Sequence, residues 1–170
     1  MKVFFGAAIQ GASNREERAA VHRLIIDALK ENGSEVISEH TTGKDYDATI
    51  GMLEAKLGPL PPKGMERTVL IRNKMIEFIE GDIDAAFFEV STPSLGTGIE
   101  LAHAYLRPRL GLSEIPVVAL YQKDYWPHNL SSMIRGIAGD RVPGFRNIEY
   151  DDPHQATGFI KEILNDIGSS

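Results

Sequence analysis

Five short apolar runs, which alternate with stretches of helical periodicity, constrain the fold of this chain more than any other feature. The runs lie at residues 3–9, 35–38, 85–90, 116–121 and 147–150. The run at 85–90 is typical of a strand that is buried on both faces of a parallel sheet. We therefore expect an α/β, flavodoxin-like (Rossmann-like) fold, doubly wound. Its parallel five-stranded sheet should have the strand order 2-1-3-4-5, with right-handed crossovers placing helices on both faces.

Helical spacing of apolar residues fills the segments between the runs. The predicted helices begin at Ser13 or Asn14 and end near Glu31, cover 46–57 and 66–80, run from residue 94 to about Arg107, and begin again at Pro153. The segment 39–64 is long for a connection in a compact domain, and such segments often act as lids. Short connections elsewhere favour one compact unit.

Composition limits the classes of function that this chain can have. Its 170 residues with 42% hydrophobic content predict a single domain over residues 1–170. A net charge of −6 argues against duplex nucleic acid or an anionic membrane as the main partner. The absence of cysteine excludes disulfides and a thiol nucleophile, and the histidines show no ligand spacing, so we expect neither a metal nor a cofactor. No signal peptide or spanning apolar run is visible, which predicts a cytoplasmic protein.

The residues after the third apolar run carry the clearest functional signal. Residues 89–100 read Glu-Val-Ser-Thr-Pro-Ser-Leu-Gly-Thr-Gly-Ile-Glu. In open α/β sheets, ligands bind where strands end and helices begin. Ser94 can cap the following helix, and Gly96 and Gly98 let the backbone approach a ligand whose negative charge the helix N-terminus favours. Glu100 is expected to project from the first turn into the same space, with its charged form favoured by the helix dipole.

A structural interpretation of the same residues needs no ligand. Thr97-x-x-Glu100 matches a capping box, in which the glutamate only satisfies a backbone amide. Likewise, Asn129 or Ser131 could merely cap a short helix.

The 89–100 run resembles the signature of the nucleoside 2-deoxyribosyltransferase superfamily, and most closely its branch of 2′-deoxynucleoside 5′-monophosphate N-glycosidases. In that branch a Pro-Ser-Leu-Gly-x-Gly-x-Glu run carries the catalytic glutamate, so the resemblance implies that Glu100 is the nucleophile. Residues 131–136, Ser-Ser-Met-Ile-Arg-Gly, resemble a second run of the same branch, whose serine reaches the phosphate in the neighbouring subunit. The resemblance therefore implies a homodimer in which Ser131 completes the neighbouring site.

The resemblance also suggests contacts in the first loop and after the second strand. Phe4, Ile9 and Gln10 match positions that help to hold the nucleotide, and Gly11 belongs to the same loop. His40 resembles a histidine that contacts the base; its alternative is a surface histidine in a turn.

One residue of the family pattern has no match. The family aspartate on the third helix falls on Met75, with Asn73 and Glu77 as the nearest polar residues. The group that assists departure of the base is therefore not identified by the pattern. Glu89, at the end of the third strand, is one candidate.

Ser94 separates two enzymatic interpretations. Nucleoside deoxyribosyltransferases commonly place an aspartate six residues before the nucleophile, whereas the monophosphate hydrolases place a serine there. An aspartate would repel a phosphate dianion, while a serine hydroxyl and helix amides can bind it. The sequence thus predicts an N-glycosidase that cleaves (2′-deoxy)nucleoside 5′-monophosphates to free base and sugar phosphate through a glutamate nucleophile. The alternatives are a 2-deoxyribosyltransferase that exchanges bases and a non-catalytic nucleotide-binding protein.

Overall fold

Five parallel strands form one sheet in the structure, a computed structural model that describes residues 1–9, 15–125, 130–137, 142 and 144–169. The strand order is β2-β1-β3-β4-β5, and every neighbouring pair is parallel. The strands are β1 (Lys2–Ala7), β2 (Glu35–Val36), β3 (Ala85–Glu89), β4 (Val117–Gln122) and β5 (Phe145–Tyr150). The predicted flavodoxin-like fold is confirmed.

The helices cover both faces of this sheet. They are α1 (Arg15–Glu31), α2 (Tyr46–Leu57), α3 (Met65–Glu80), α4 (Leu95–Tyr105), α5 (Ser132–Arg135) and α6 (Pro153–Gly168), with short 3-10 turns at His40–Thr42 and Arg107–Leu110. Side-chain caps explain where several of these helices begin. The Asp45 carboxylate accepts a hydrogen bond from Ala48 N at 2.8 Å, and that of Asp152 accepts one from His154 N at 2.8 Å. None of the helices in the described ranges is long and apolar enough to cross a membrane.

Alternating side chains of the central strands divide the core into two clusters. Val3 and Phe5 of β1 face α1 and α6, whereas Phe4 packs with residues of α2, α3 and α4 on the opposite face. Leu24 and Val69, although apolar, lie on the exposed side of their helices. Side chains near the end of β3 therefore belong to one or the other of two separate clusters, one on each face of the sheet.

The two edge strands differ in length. β2 pairs with β1 over two residues, fewer than predicted, because the Ser38 hydroxyl takes over the next backbone pairing. It donates to Phe5 O and accepts from Phe5 N, both at 2.8 Å. β5, at the other edge, is six residues long and exposes Arg146, Asn147 and Glu149.

Candidate active site

The turn between β3 and α4 lies at the carboxyl edge of the sheet. Ser94 is the N-cap of α4, and its hydroxyl oxygen accepts a hydrogen bond from Thr97 N at 3.3 Å. Thr97 is therefore inside the helix, and the capping box of Thr97 with Glu100 does not form. Glu100 belongs to the second turn rather than to the first, so its carboxylate is free from a capping role.

The Glu100 carboxylate lies against the end of β1. A Cβ atom placed on Gly6 would be 3.1 Å from Glu100 Oε2, and 2.6 and 2.7 Å from ring carbons of Phe88. The missing side chain of Gly6 thus makes room for both groups. Burial raises the pKa of Glu100 from its usual 4.5 to about 7. This outcome differs from the expected stabilisation of the charge by the helix dipole, because desolvation outweighs that attraction here.

The side of α3 that packs against the core is apolar. Met75, which occupies the position of the family aspartate, is only 4% exposed and packs in the same cluster as Phe4 and Phe88. Asn73 and Glu77 are exposed on the other side of α3. Neither polar neighbour substitutes for the aspartate, because both side chains are exposed while Met75 fills the buried position.

Glu89 lies on the opposite face of the sheet, inside a buried polar cluster. Its Oε2 is 2.7 Å from Arg18 Nη2 and 3.5 Å from His22 Nε2. Its Oε1 accepts hydrogen bonds from Tyr150 OH at 3.0 Å, from Ser91 N at 3.2 Å and from the Ser91 hydroxyl. Burial raises the pKa of Glu89, but the hydrogen bond from His22 and the charge of Arg18 outweigh it and lower the pKa to about 2. Glu89 is therefore ionised and lies on the other face of the sheet from Glu100, which does not favour this candidate as the acid for base departure.

The polar cluster reaches beyond these five residues to neighbouring elements. Arg18 Nη1 donates to Gln122 Oε1 at 2.9 Å, and its guanidinium lies 4.1 Å from the centre of the Tyr125 ring. His22 Nδ1 lies 3.1 Å from Thr41 O, next to His40. Neither Arg18 nor His22 was predicted as a functional residue from the sequence. Their four-residue spacing on the apolar face of α1 was the available signal.

A large cavity borders α4 on the side away from Gly6. Its volume is about 590 Å³, and its lining includes Ser94, Gly98, Ser131 and a majority of apolar side chains. Ser131 is the N-cap of α5, and its hydroxyl accepts from Met133 N at 3.3 Å. The structure thus brings Ser94 and Ser131 to one cavity within a single chain. Glu100 does not line it, because its carboxylate faces β1.

A second cavity, of about 270 Å³, opens beyond the end of β2. It is lined by His40, by Met75 and by apolar residues of α2 and α3. His40 is buried, and this burial lowers its pKa to about 4. The neutral imidazole offers one donor and one acceptor to a ligand. The surface-turn alternative for His40 does not describe this environment.

The chain matches no family model. A protein of Thermofilum pendens, named "Putative 2'-deoxynucleoside 5'-phosphate N-hydrolase 1", is 33% identical over 164 residues, which cover 96% of this chain and 95% of that protein. The chain belongs to this N-hydrolase family. Proteins with the same name from Methanosarcina mazei and Methanosarcina barkeri are 31% and 26% identical over 134 and 136 residues, and each match covers 79% of this chain and 67% or 69% of that protein. The resemblance predicted from the 89–100 run is confirmed.

The residues predicted for the N-hydrolase site occupy different environments. Phe4 is fully buried with its ring 5.8 Å from that of Phe88, so it supports Phe88 rather than facing a ligand. Ile9 is half-buried just after β1, and Gly96 is exposed in the first turn of α4. Gln10 and Gly11 lie outside the described residues. Within the described part of the chain, no group of three or more metal-ligating side chains occurs.

Proposed function

We propose that this protein hydrolyses the N-glycosidic bond of 2′-deoxynucleoside 5′-monophosphates, with Glu100 as the nucleophile. The observation that carries the proposal is the position of the Glu100 carboxylate, half-buried beside the bare backbone of Gly6 at the carboxyl edge of the sheet. Gly6 lets the carboxylate lie against the end of β1, and the names of the relatives supply the reaction and substrate class. With its pKa near 7, a large fraction of Glu100 is ionised at neutral pH.

The proposed reaction has two steps. In the first, the Glu100 carboxylate attacks C1′ of the deoxyribose while the bond from C1′ to the base breaks. The bonding electrons leave with the base, which takes a proton from water. In the second, water attacks C1′ and the bond from C1′ to the Glu100 oxygen breaks, which releases deoxyribose 5-phosphate and regenerates the carboxylate. The proton that this water loses replaces the one that the base took up. His40, which is neutral, is proposed to hold the base through a hydrogen bond rather than to protonate it.

The proposed phosphate site lies at the N-terminus of α4. The Ser94 hydroxyl and the free amides of the first turn are donors to an anion, reinforced by the helix dipole. Charge-assisted hydrogen bonds of this kind contribute roughly 1.5–3 kcal/mol each. Loss of the phosphate should therefore lower kcat/KM by about 10³-fold, since at least two such bonds would be lost.

Base release from deoxynucleosides and their monophosphates, with and without an acceptor base, tests this assignment. We expect hydrolysis of monophosphates alone. Ser94→Asp keeps a good N-cap but adds a negative charge, so it should shift preference towards nucleosides, whereas Ser94→Ala should only weaken binding. Efficient base exchange in the wild type would indicate a deoxyribosyltransferase. Tight nucleotide binding without release of base would indicate a non-catalytic binding protein.

We further propose a symmetric homodimer in which Ser131 serves the neighbouring site. Ser131 lies on the side of α4 away from Glu100, and the nearby side chains of Leu95 and Met133 are 91% and 81% exposed. Exposed apolar residues at a cavity rim are typical of an interface. Sedimentation at assay concentration should give a dimer or a multiple of it.

A mixed dimer of Glu100→Gln and Ser131→Ala chains tests whether Ser131 acts across subunits. One of its two sites would contain both Glu100 and the partner chain's intact serine, so activity should return when the two inactive or weak variants are mixed. Activity that stays at the level of the separate variants would assign Ser131 to its own chain.

A further inference from the structure

The turn that leads from β3 to Ser94 is anchored to the sheet at its start. Val90 N donates to Leu120 O of β4 at 2.9 Å, and further anchoring hydrogen bonds are made by Ser91. Its amide and its hydroxyl both donate to Glu89 Oε1, and its hydroxyl oxygen accepts from Gln122 N at 2.7 Å. Ser91 therefore ties the start of the turn to the end of β3 and to the end of β4.

We propose that Glu89 and Ser91 are positioning residues for the phosphate-binding turn. The buried carboxylate holds Ser91, and Ser91 determines where the chain continues towards the N-cap residue Ser94. This inference rests on the proposed function, because it assumes that the α4 N-terminus receives a phosphate group. Ser91 lines the same cavity as Ser94, but its amide and hydroxyl are engaged by Glu89 and by Gln122 N, so the proposed role of both residues is exerted through Ser94.

The composition of the cluster supports a positioning role over a purely stabilising one. Glu89 and Arg18 are almost fully buried, and buried ion pairs are often no more stabilising than apolar side chains of similar volume. The ion pair instead fixes the orientation of the groups that it contacts. Hydrogen bonds from α1, β4, β5 and the turn converge on this cluster, through Arg18, Gln122, Tyr150 and Ser91. Four elements are thereby oriented around one strand end.

Two variants remove one hydroxyl each from the cluster while keeping the charges. Ser91→Ala deletes the link between Glu89 and β4, and Tyr150→Phe deletes the hydrogen bond from β5 to Glu89. Ser34→Ala is the matched control. Ser34 and Ser91 are both 7% exposed, but in the described part of the chain the Ser34 hydroxyl has no hydrogen-bond partner, and it precedes β2 at the other end of the sheet.

The measurements are the Kd of inorganic phosphate by calorimetry, and kcat and KM for a deoxynucleoside monophosphate. We expect Ser91→Ala to raise both the phosphate Kd and KM about tenfold, with kcat within about twofold of the wild type. Tyr150→Phe should act in the same direction, and Ser34→Ala should change neither constant. If Ser91→Ala does not fold, the same measurements on Tyr150→Phe decide whether the cluster positions the turn.

Three results would overturn the inference. An unchanged phosphate Kd and KM in both folded variants would mean that the cluster only stabilises the core and does not position the turn. A lower kcat with unchanged KM would mean that the cluster acts on Glu100 instead, and failure of the wild type to bind phosphate would remove the assumed site. In contrast, phosphate binding that weakens in Ser91→Ala, without base release from any substrate, would support the positioning role and contradict the proposed function alone.

Discussion

Gly6→Ala is the substitution that most directly tests the geometry of the candidate nucleophile. The new methyl group would lie 2.6 Å from Cδ1 and 2.7 Å from Cε1 of Phe88, distances that real Cβ atoms do not occupy. The Phe88 ring is fully buried against Phe4 and cannot move aside freely. The same methyl would be 3.1 Å from Glu100 Oε2 and would displace the carboxylate.

The expected magnitudes follow from these distances. Overpacking of a well-packed core costs about 1–3 kcal/mol, which for a chain of this size lowers the melting temperature by roughly 2–4 °C per kcal/mol. A misplacement of about 1 Å at a reacting group costs about 10²-fold in rate. The 3.1 Å contact requires Glu100 to move by only a few tenths of an ångström, so we expect kcat to fall by about tenfold.

Melting curves and base release with a deoxynucleoside monophosphate measure the two effects separately. The double variant Gly6→Ala/Phe88→Leu removes the ring clash but leaves the contact with Glu100, so it should recover stability more than turnover. Gly158→Ala is the control, because its methyl would meet no atom within 4 Å in α6 and should stabilise the helix by up to about 1 kcal/mol. Wild-type melting temperature and kcat in Gly6→Ala would refute the close packing of Gly6, Phe88 and Glu100.

Three further predictions concern the two glutamates at the end of β3 and in α4. Glu100→Gln should lose turnover by orders of magnitude yet melt at or above the wild-type temperature at pH 8. Because the pKa of Glu100 is raised, the wild-type protein loses stability as pH rises from about 4.5 through 7. The stability gained by Glu100→Gln relative to the wild type should therefore reach at most about 3 kcal/mol at pH 8 and vanish at pH 4. In the wild type, kcat/KM should rise with pH, with an apparent pKa near 7; a profile that is flat between pH 5 and 8 would contradict the role of Glu100. Glu89→Gln should cost about 3–5 kcal/mol in denaturant titrations, because it leaves the Arg18 charge buried and unpaired. The lowered pKa of Glu89 predicts that its contribution is present above pH 4.5 and is lost as pH falls towards 2.

The order of elements and the place of the site were predictable from local sequence. Helix α2 begins and ends at the predicted residues 46 and 57, because its period and its Asp45 cap are local signals. The 89–100 run also located the turn and its N-cap residue Ser94. Local signals place these elements because short-range contacts determine where helices start.

The electrostatics of the site could not be predicted in the same way. Glu89 and Glu100 are eleven positions apart, yet burial raises the pKa of one while partners on distant elements lower that of the other. Arg18 and Tyr150 meet Glu89 only after the sheet has assembled. The helix dipole was the visible influence on Glu100, and the apolar packing that outweighs it is a property of the folded chain.

The unequal edges of the sheet bear on how copies of the chain can associate without aggregating. β2 offers a two-residue ladder, and β5 presents charged side chains, with Arg146 paired to Asp166 at 3.1 Å. Short strands and edge charges both discourage another chain from extending the sheet by backbone pairing. The proposed homodimer is therefore expected to use the helical surface where Leu95 and Met133 are exposed rather than a continuous intermolecular sheet.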